Sequence, residues 1–357
     1  MEQMTPKTRQ SNMELLRLVA MFMIVVYHTV YYRLYNYRTE SPVFSSLMIV
    51  LHIGVPLFVL ISGYFGIKPS FKGIFKLYAI LLFYNLALYG YRVVSGDVTF
   101  SIREFMRLWL PFSWGRVLWF FKVYIMLYIS SPVVNYLKEK MEMELLLISG
   151  FLTFYFGWFA QHPSLSNGKN IINFVFIYLL GNMLHKMLVS WKAPSGKKRM
   201  TLAFGYIGLT IAVGLILAYP NEHVQSIGKR LLWGYNSPIL LLMSVLFFCI
   251  FATFNFKSKM VNWWAGSVFA VYMIHENYWF PKENWYNMID LQYNSMPGTH
   301  FSAILLAECA TLFISAILID KIRAFVMQPV MPLGDYLQKK VYNAFSWIKK
   351  NHMDGHY

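Results

Sequence analysis

Acidic residues are scarce in this chain of 357, with 16 Asp and Glu against 32 Lys and Arg, and charged residues of both signs make up only 13% of it. So little charge is inadequate to cover the surface of a water-soluble protein of this size. Cysteine is nearly absent too. Cys249 and Cys309 lie in apolar runs and are expected to pack as small core residues, which excludes a disulfide framework or a cysteine-based metal cluster. No strand-length alternation of polar and apolar residues recurs, which argues against a β-barrel. No repeat, low-complexity tract or soluble catalytic module is evident.

What the chain has in abundance is apolar residues, 57% of the total, with a mean hydropathy of +0.44. They fall into runs of membrane-spanning length. Ten spans are expected, at about 13–33, 43–65, 71–94, 117–137, 144–161, 171–190, 201–219, 235–255, 263–280 and 302–325. The fold expected is therefore an all-α integral membrane protein with a single bundle of about ten transmembrane helices. The first run is too long, and lacks the small-residue site, for a cleaved signal, and it is expected to remain as a span.

A net charge of +16 could suggest nucleic acid, but its distribution argues for a bilayer. With the N-terminus inside, most basic residues fall in inner segments, notably around Lys68–Lys76, Lys192–Arg199 and Lys321–Lys350. Both termini are thus expected to be cytoplasmic, and nucleic acid is not an expected partner. Residues 1–330 form the membrane domain on this reading. Residues 331–357 form a cytoplasmic tail, where Leu333, Leu337, Val341, Phe345 and Ile348 alternate with lysines as in an amphipathic helix lying on the leaflet.

Ionisable groups inside a membrane are costly and point to function. The first span carries Arg17 and His28. Eleven residues make roughly 20° more than three whole turns, so the two share a helix face, about 16 Å apart. Two polar stations so far apart suit an extended ligand. Neutral His28 could act as a general base or be a structural histidine. Arg17 could snorkel, but Glu14 one turn earlier is placed to pair with it. Ser62 and Gly63 allow either close helix packing or approach of a ligand to the backbone. Lys72 and Lys76 are a compact positive pair suited to phosphate, or ordinary inner-loop lysines.

On the outer side, the segment 95–116 carries Arg103, Arg107 and Arg116 and is expected to lie in the interface or fold back over the bundle. Trp119 begins an aromatic helix suited to packing or to a sugar platform. His275 should reach the depth of His28, while Glu276, 100° away on a continuing helix, would not form a dyad with it. His28, His52 and His275 could converge, yet no metal-ligand spacing accompanies them, and no metal is expected.

In order, ELLRLVAMFMIVVYH, VPLFVLISGYF, LWFFKVYIMLYISSPVVN and the late VYMIH resemble the acyltransferase-3 family of integral-membrane bacterial acyltransferases, from about Glu14 to Arg323. The resemblance implies transfer of an acyl group, usually acetyl from acetyl-CoA, to a hydroxyl of a cell-surface polysaccharide or lipid-linked glycan, in the bacterial cytoplasmic membrane. It matches Glu14, Arg17 and His28 to the catalytic segment, with His28 as general base. Lys72, Lys76, Ser62 and Gly63 would then contact acyl-CoA, with lysines standing where many members carry arginines. Arg103, Arg107, Arg116, Trp119 and His275 would meet the acceptor. A homo-oligomer is compatible with this arrangement. The rival function is a transporter or flippase of lipid-linked glycans, which predicts buried charge spread over several facing helices and internal repeats. A purely structural subunit of a surface-polysaccharide complex would need neither Arg17 nor His28.

Overall fold

The computed structural model describes residues 9–38, 42–110, 118–189, 196–219, 221–296 and 298–353. Among them there are helices and connecting turns but no strand. Seven stretches are long and apolar enough to cross a membrane: Ser11–Tyr32, Ser46–Phe65, Phe71–Val94, Trp119–Phe159, Ile171–Val189, Gly196–Ala218 and Gly298–Val326. Pro238–Ala252 is apolar but shorter.

The difference from ten spans has local causes. The expected spans 117–137 and 144–161 fall in α6 (Trp119–Phe151) and the π-helix (Leu152–Phe159) that continues it, two helices run together across a kink at Met141, where φ is −147° and ψ is 56°, so that they count as one long apolar stretch. The expected span 263–280 is instead two short helices, α11 (Lys259–Ala265) and α12 (Val268–His275). The expected span 43–65 corresponds to the stretch Ser46–Phe65, within which Ile53 separates α2 (Pro42–His52) from α3 (Gly54–Phe65). Pro56 supplies the reason, because its ring has no N–H for the His52 carbonyl four residues earlier and clashes with it.

Caps set other boundaries. Ser70 Oγ accepts from Gly73 N (3.0 Å) at the start of α4 (Phe71–Val94), and Ser237 Oγ accepts from Leu240 N (3.2 Å) at α10 (Pro238–Ala252). α3 ends at Gly66 with φ +73°.

α1 (Ser11–Arg38) is the hub, packing against α2, α3 and α10 to α12, and also against α13 (Lys282–Ser295) and α14 (Gly298–Val326). α3 and α7 (Ile171–Val189) meet backbone to backbone. A Cβ at Gly63 would collide with the Tyr178 carbonyl oxygen, and one at Gly181 with that of Leu60.

The outer segment folds back along α4. Tyr89 OH bonds the backbone of Ser101, while Tyr78 OH donates to the Trp109 carbonyl (2.8 Å). These tyrosines stand eleven residues apart on one face of α4, about 16 Å, so α5 (Ile102–Leu108) descends antiparallel to α4.

One end of the bundle gathers Arg9, Arg199 and Lys321, whose side chains bond the backbone of Asn262, Thr253 and Trp263. The C-terminal helix α15 (Met331–Met353) also lies against the bundle. It packs on α4, with Asp335 paired to Lys72 and Gly334 against Phe75, so its first turns rest on protein rather than on lipid alone.

Candidate active site

His28 reaches the site because α1 presents Met21, Ile24 and His28 on one face at intervals of three and four. These three, with Phe58, Trp119 and Tyr272, line a narrow apolar cavity. His28 is buried, and its Nδ1 lies 3.1 Å from His275 Nε2. His275 Nδ1 in turn lies 2.6 Å from the Val271 carbonyl oxygen.

The hydrogen bonds assign the tautomers. A carbonyl only accepts, so Nδ1 carries the proton of His275 and Nε2 of the neutral ring is an acceptor. His28 Nδ1–H must therefore donate to it. That leaves the lone pair of His28 on Nε2, the nitrogen free to take a proton from a group in the cavity.

Glu276 joins from an unexpected direction. It is the C-cap of α12, its N–H still bonded to the Tyr272 carbonyl (3.3 Å), and while it forms no dyad with His275 its Oε1 comes within 3.3 Å of His28 Nδ1 on α1. A carboxylate there stabilises the imidazolium that forms when Nε2 is protonated. Lys282 Nζ stands 3.6 Å from the same Oε1 and donates to the Glu276 carbonyl (3.3 Å), balancing the buried charge. Sequence reasoning missed both residues. The available sign was an acidic residue directly after the VYMIH run.

His28, His275 and Glu276 offer ligand atoms all within 4.8 Å of one another, a spacing compatible with a divalent ion. Against a cation stands Lys282, whose ammonium already faces the one carboxylate.

Trp119 lies on the same cavity, with Lys169 Nζ 5.1 Å from its ring centroid. Burial pushes the Lys169 ammonium pKa down, while the Glu276 charge pulls it up. His52 belongs to the packing behind the site, stacked on Tyr235 at 4.1 Å, with both ring nitrogens buried and unpartnered.

The remaining expected residues lie elsewhere. Arg17 Nη1 donates to buried Glu14 Oε1 (2.9 Å) and its guanidinium sits 5.7 Å from the Phe65 ring centroid, with 32% of its side chain exposed. Ser62 Oγ donates to the Phe58 carbonyl (2.9 Å), and Gly63 is turned toward α7. Lys72 Nζ pairs with Asp335 Oδ1 (2.6 Å), and Lys76 is exposed. Arg103 is exposed on α5, and Arg107 pairs with Glu104 (2.6 Å). Arg116 lies outside the described residues.

The arrangement is an apolar cavity in a helical bundle, lined by a histidine that is hydrogen-bonded to a second histidine and flanked by a carboxylate. Such a set has the chemistry for proton transfer with a hydroxyl. No curated protein and no solved structure matches the chain. The acyltransferase-domain model of the acyltransferase-3 family, by contrast, matches residues 10–320, and with nearly its whole length covered the chain belongs to that family of membrane acyltransferases.

Proposed function

We propose that the protein moves an acyl group, acetyl in the first instance, from acyl-CoA to a hydroxyl of a cell-surface polysaccharide or lipid-linked glycan at the bacterial cytoplasmic membrane. The observation that carries this reading is the proton order Val271–His275–His28, which leaves His28 Nε2 as a base on an apolar cavity. The acceptor oxygen attacks the thioester carbonyl carbon as His28 Nε2 takes its proton. The carbonyl reforms as the C–S bond breaks, and the CoA thiolate leaves to be protonated. His275 holds Nδ1–H throughout, with the Glu276 carboxylate beside it to stabilise the charge, so imidazolium forms without rotation of the ring.

Trp119 offers an aromatic face to the acceptor, and Lys169 beside it offers a charge. Exposed Arg103 could meet an anionic glycan before it reaches the cavity. The Glu14–Arg17 pair stands between the donor's charged end and the cavity, and positions rather than reacts.

The test is transfer of label from radiolabelled acetyl-CoA in membranes bearing wild-type protein or His28→Ala. Label should enter a glycan with wild-type and fall by a factor of about 10²–10⁴ in the variant. Equal labelling would remove His28 from the chemistry. Loss of activity on chelation, restored by zinc, would reassign the histidine–carboxylate cluster to a metal.

A further inference from the structure

Two lysines stand near the histidine–carboxylate cluster, and they are differently matched. Lys282 faces the Glu276 carboxylate. Among the described residues no carboxylate lies within ion-pair distance of Lys169, whose ammonium rests instead 5.1 Å from the Trp119 ring centroid. The sequence explains the difference: between Glu144 and Glu276 the one acidic residue is Glu222. Lys169 is exposed, in the connection before α7 rather than in a span. A ring face offers a cation much less than a carboxylate does, so this ammonium keeps its capacity for an anion.

The chain around Lys169 is built to hold it there. Asn167 and Gly168, just before it, both have positive φ, +61° and +70°. Tertiary bonds maintain that backbone. Tyr235 N donates to the Asn167 carbonyl (2.9 Å), and buried Asn173 donates through Nδ2 to the carbonyls of Gly168 (2.9 Å) and Tyr235 (3.2 Å). A Cβ at Gly168 would come 2.6 Å from Asn236 N. The Tyr235 ring in turn stacks on Trp119, with 5.1 Å between centroids. One tyrosine thus fixes both the loop that carries the lysine and the indole on which it rests.

The two nitrogens of His28 point in different directions. Nδ1 faces His275 and Glu276, with Lys282 beyond the carboxylate. Trp119 belongs to the cavity that takes Nε2, and Lys169 is one ring away from that cavity, near enough for its charge to act on both His28 and Glu276. Lys169 is therefore the unmatched cation on the side of the reacting nitrogen.

We propose that Lys169 recognises an acidic sugar of the acceptor glycan, its ammonium holding a carboxylate or phosphate substituent while a hydroxyl of the same glycan enters the cavity toward His28 Nε2. The proposal rests on the acyltransferase reading and deepens it by giving the acceptor a charge.

The experiment follows label from radiolabelled acetyl-CoA into glycan, in membranes bearing wild-type protein, Lys169→Met, Lys169→Arg or Lys169→Cys. Loss of one charge-assisted contact should lower transfer about tenfold in the methionine and cysteine variants, and arginine should retain most of it. Aminoethyl methanethiosulfonate gives Lys169→Cys a side chain that again ends in an ammonium, and should restore transfer. The sulfonatoethyl reagent, of similar length and opposite charge, should not. Both native cysteines are buried. A lysine with only a structural role would not distinguish the sign of the added group. The labelled glycan, freed from any lipid carrier by mild acid, should be retained by an anion exchanger. Retention abolished by reduction of carboxyl groups assigns a uronic acid, and retention that survives it assigns a phosphate-bearing sugar. A neutral labelled glycan, wild-type transfer by Lys169→Met, or equal rescue by the two reagents overturns the proposal and leaves the enzyme class in place. Wild-type membranes that pass no label to glycan overturn the acyltransferase reading, and this proposal with it.

Discussion

At the scale of single residues, the site depends on which nitrogen carries which proton. His275 holds His28 in the tautomer that exposes Nε2, and an acceptor at that spot should do the same work. His275→Ala is therefore expected to lower kcat by about 10²-fold with little change in KM for the donor. His275→Gln, whose side-chain carbonyl can accept from His28 Nδ1–H, should recover part of it. The ¹⁵N signals of His28 distinguish positioning from collapse, since Nε2 should lose its unprotonated signature in the alanine variant only. His28 was legible in the sequence because a lone histidine at bilayer depth is expensive, and the Glu14–Arg17 pair was legible from one helical turn. Glu276 was not, because its partner is His28 on α1 rather than its neighbour His275, and nothing in the local periodicity says which face of α12 meets α1. The lysine at 72 matched a phosphate site in pattern, yet its partner comes from a helix over 260 residues later.

At the scale of elements, hydropathy marks where apolar segments lie and is blind to how they are joined. α6 and its π-helical extension count as one stretch, yet Lys138–Glu144, where the charges interrupt the apolar run, bracket the kink at Met141. A charge on that stretch finds a partner on the next helix, where Lys186 of α7 pairs with Glu142. One span is expected at 263–280 where there are two short helices, because Gly266 and Ser267 divide the run. The α3–α7 crossing was half visible. Ser62–Gly63 signalled a close approach, but whether to a helix or a ligand was open until Tyr178 was found against Gly63. Gly63→Ala should therefore force the helices apart and cost at least about 1–3 kcal/mol. The expected result is a lower melting temperature in detergent. Gly90, with open space around the position of its Cβ, is the control and should tolerate alanine with no such loss.

At the scale of the whole molecule, basic anchors gather at one end of the bundle and the histidine–carboxylate cluster lies toward the other. The charge bias of the sequence leads to the expectation that the basic end is cytoplasmic. With an impermeant maleimide, Glu283→Cys should be labelled in intact cells and Lys257→Cys only after permeabilisation. Both native cysteines are buried, which keeps background low. The reverse pattern would invert the bundle and require the donor on the outside. The fold class was plain from composition alone. The site was only partly so, since His28 and His275 are separated by nearly 250 residues and meet only because α12 packs on α1.

The central position of α1 also bears on how the protein is made. It emerges from the ribosome well before α10 to α14, which pack on it and begin more than two hundred residues after its own start. During that interval a charged helix must wait in the bilayer. Glu14 and Arg17 neutralise each other within a single turn, needing no later helix to do so. His28 can wait uncharged. The one pair of formal charges that must survive early insertion is thus the pair that is local in sequence, and the Glu276–Lys282 pair enters the membrane region with its own late segment.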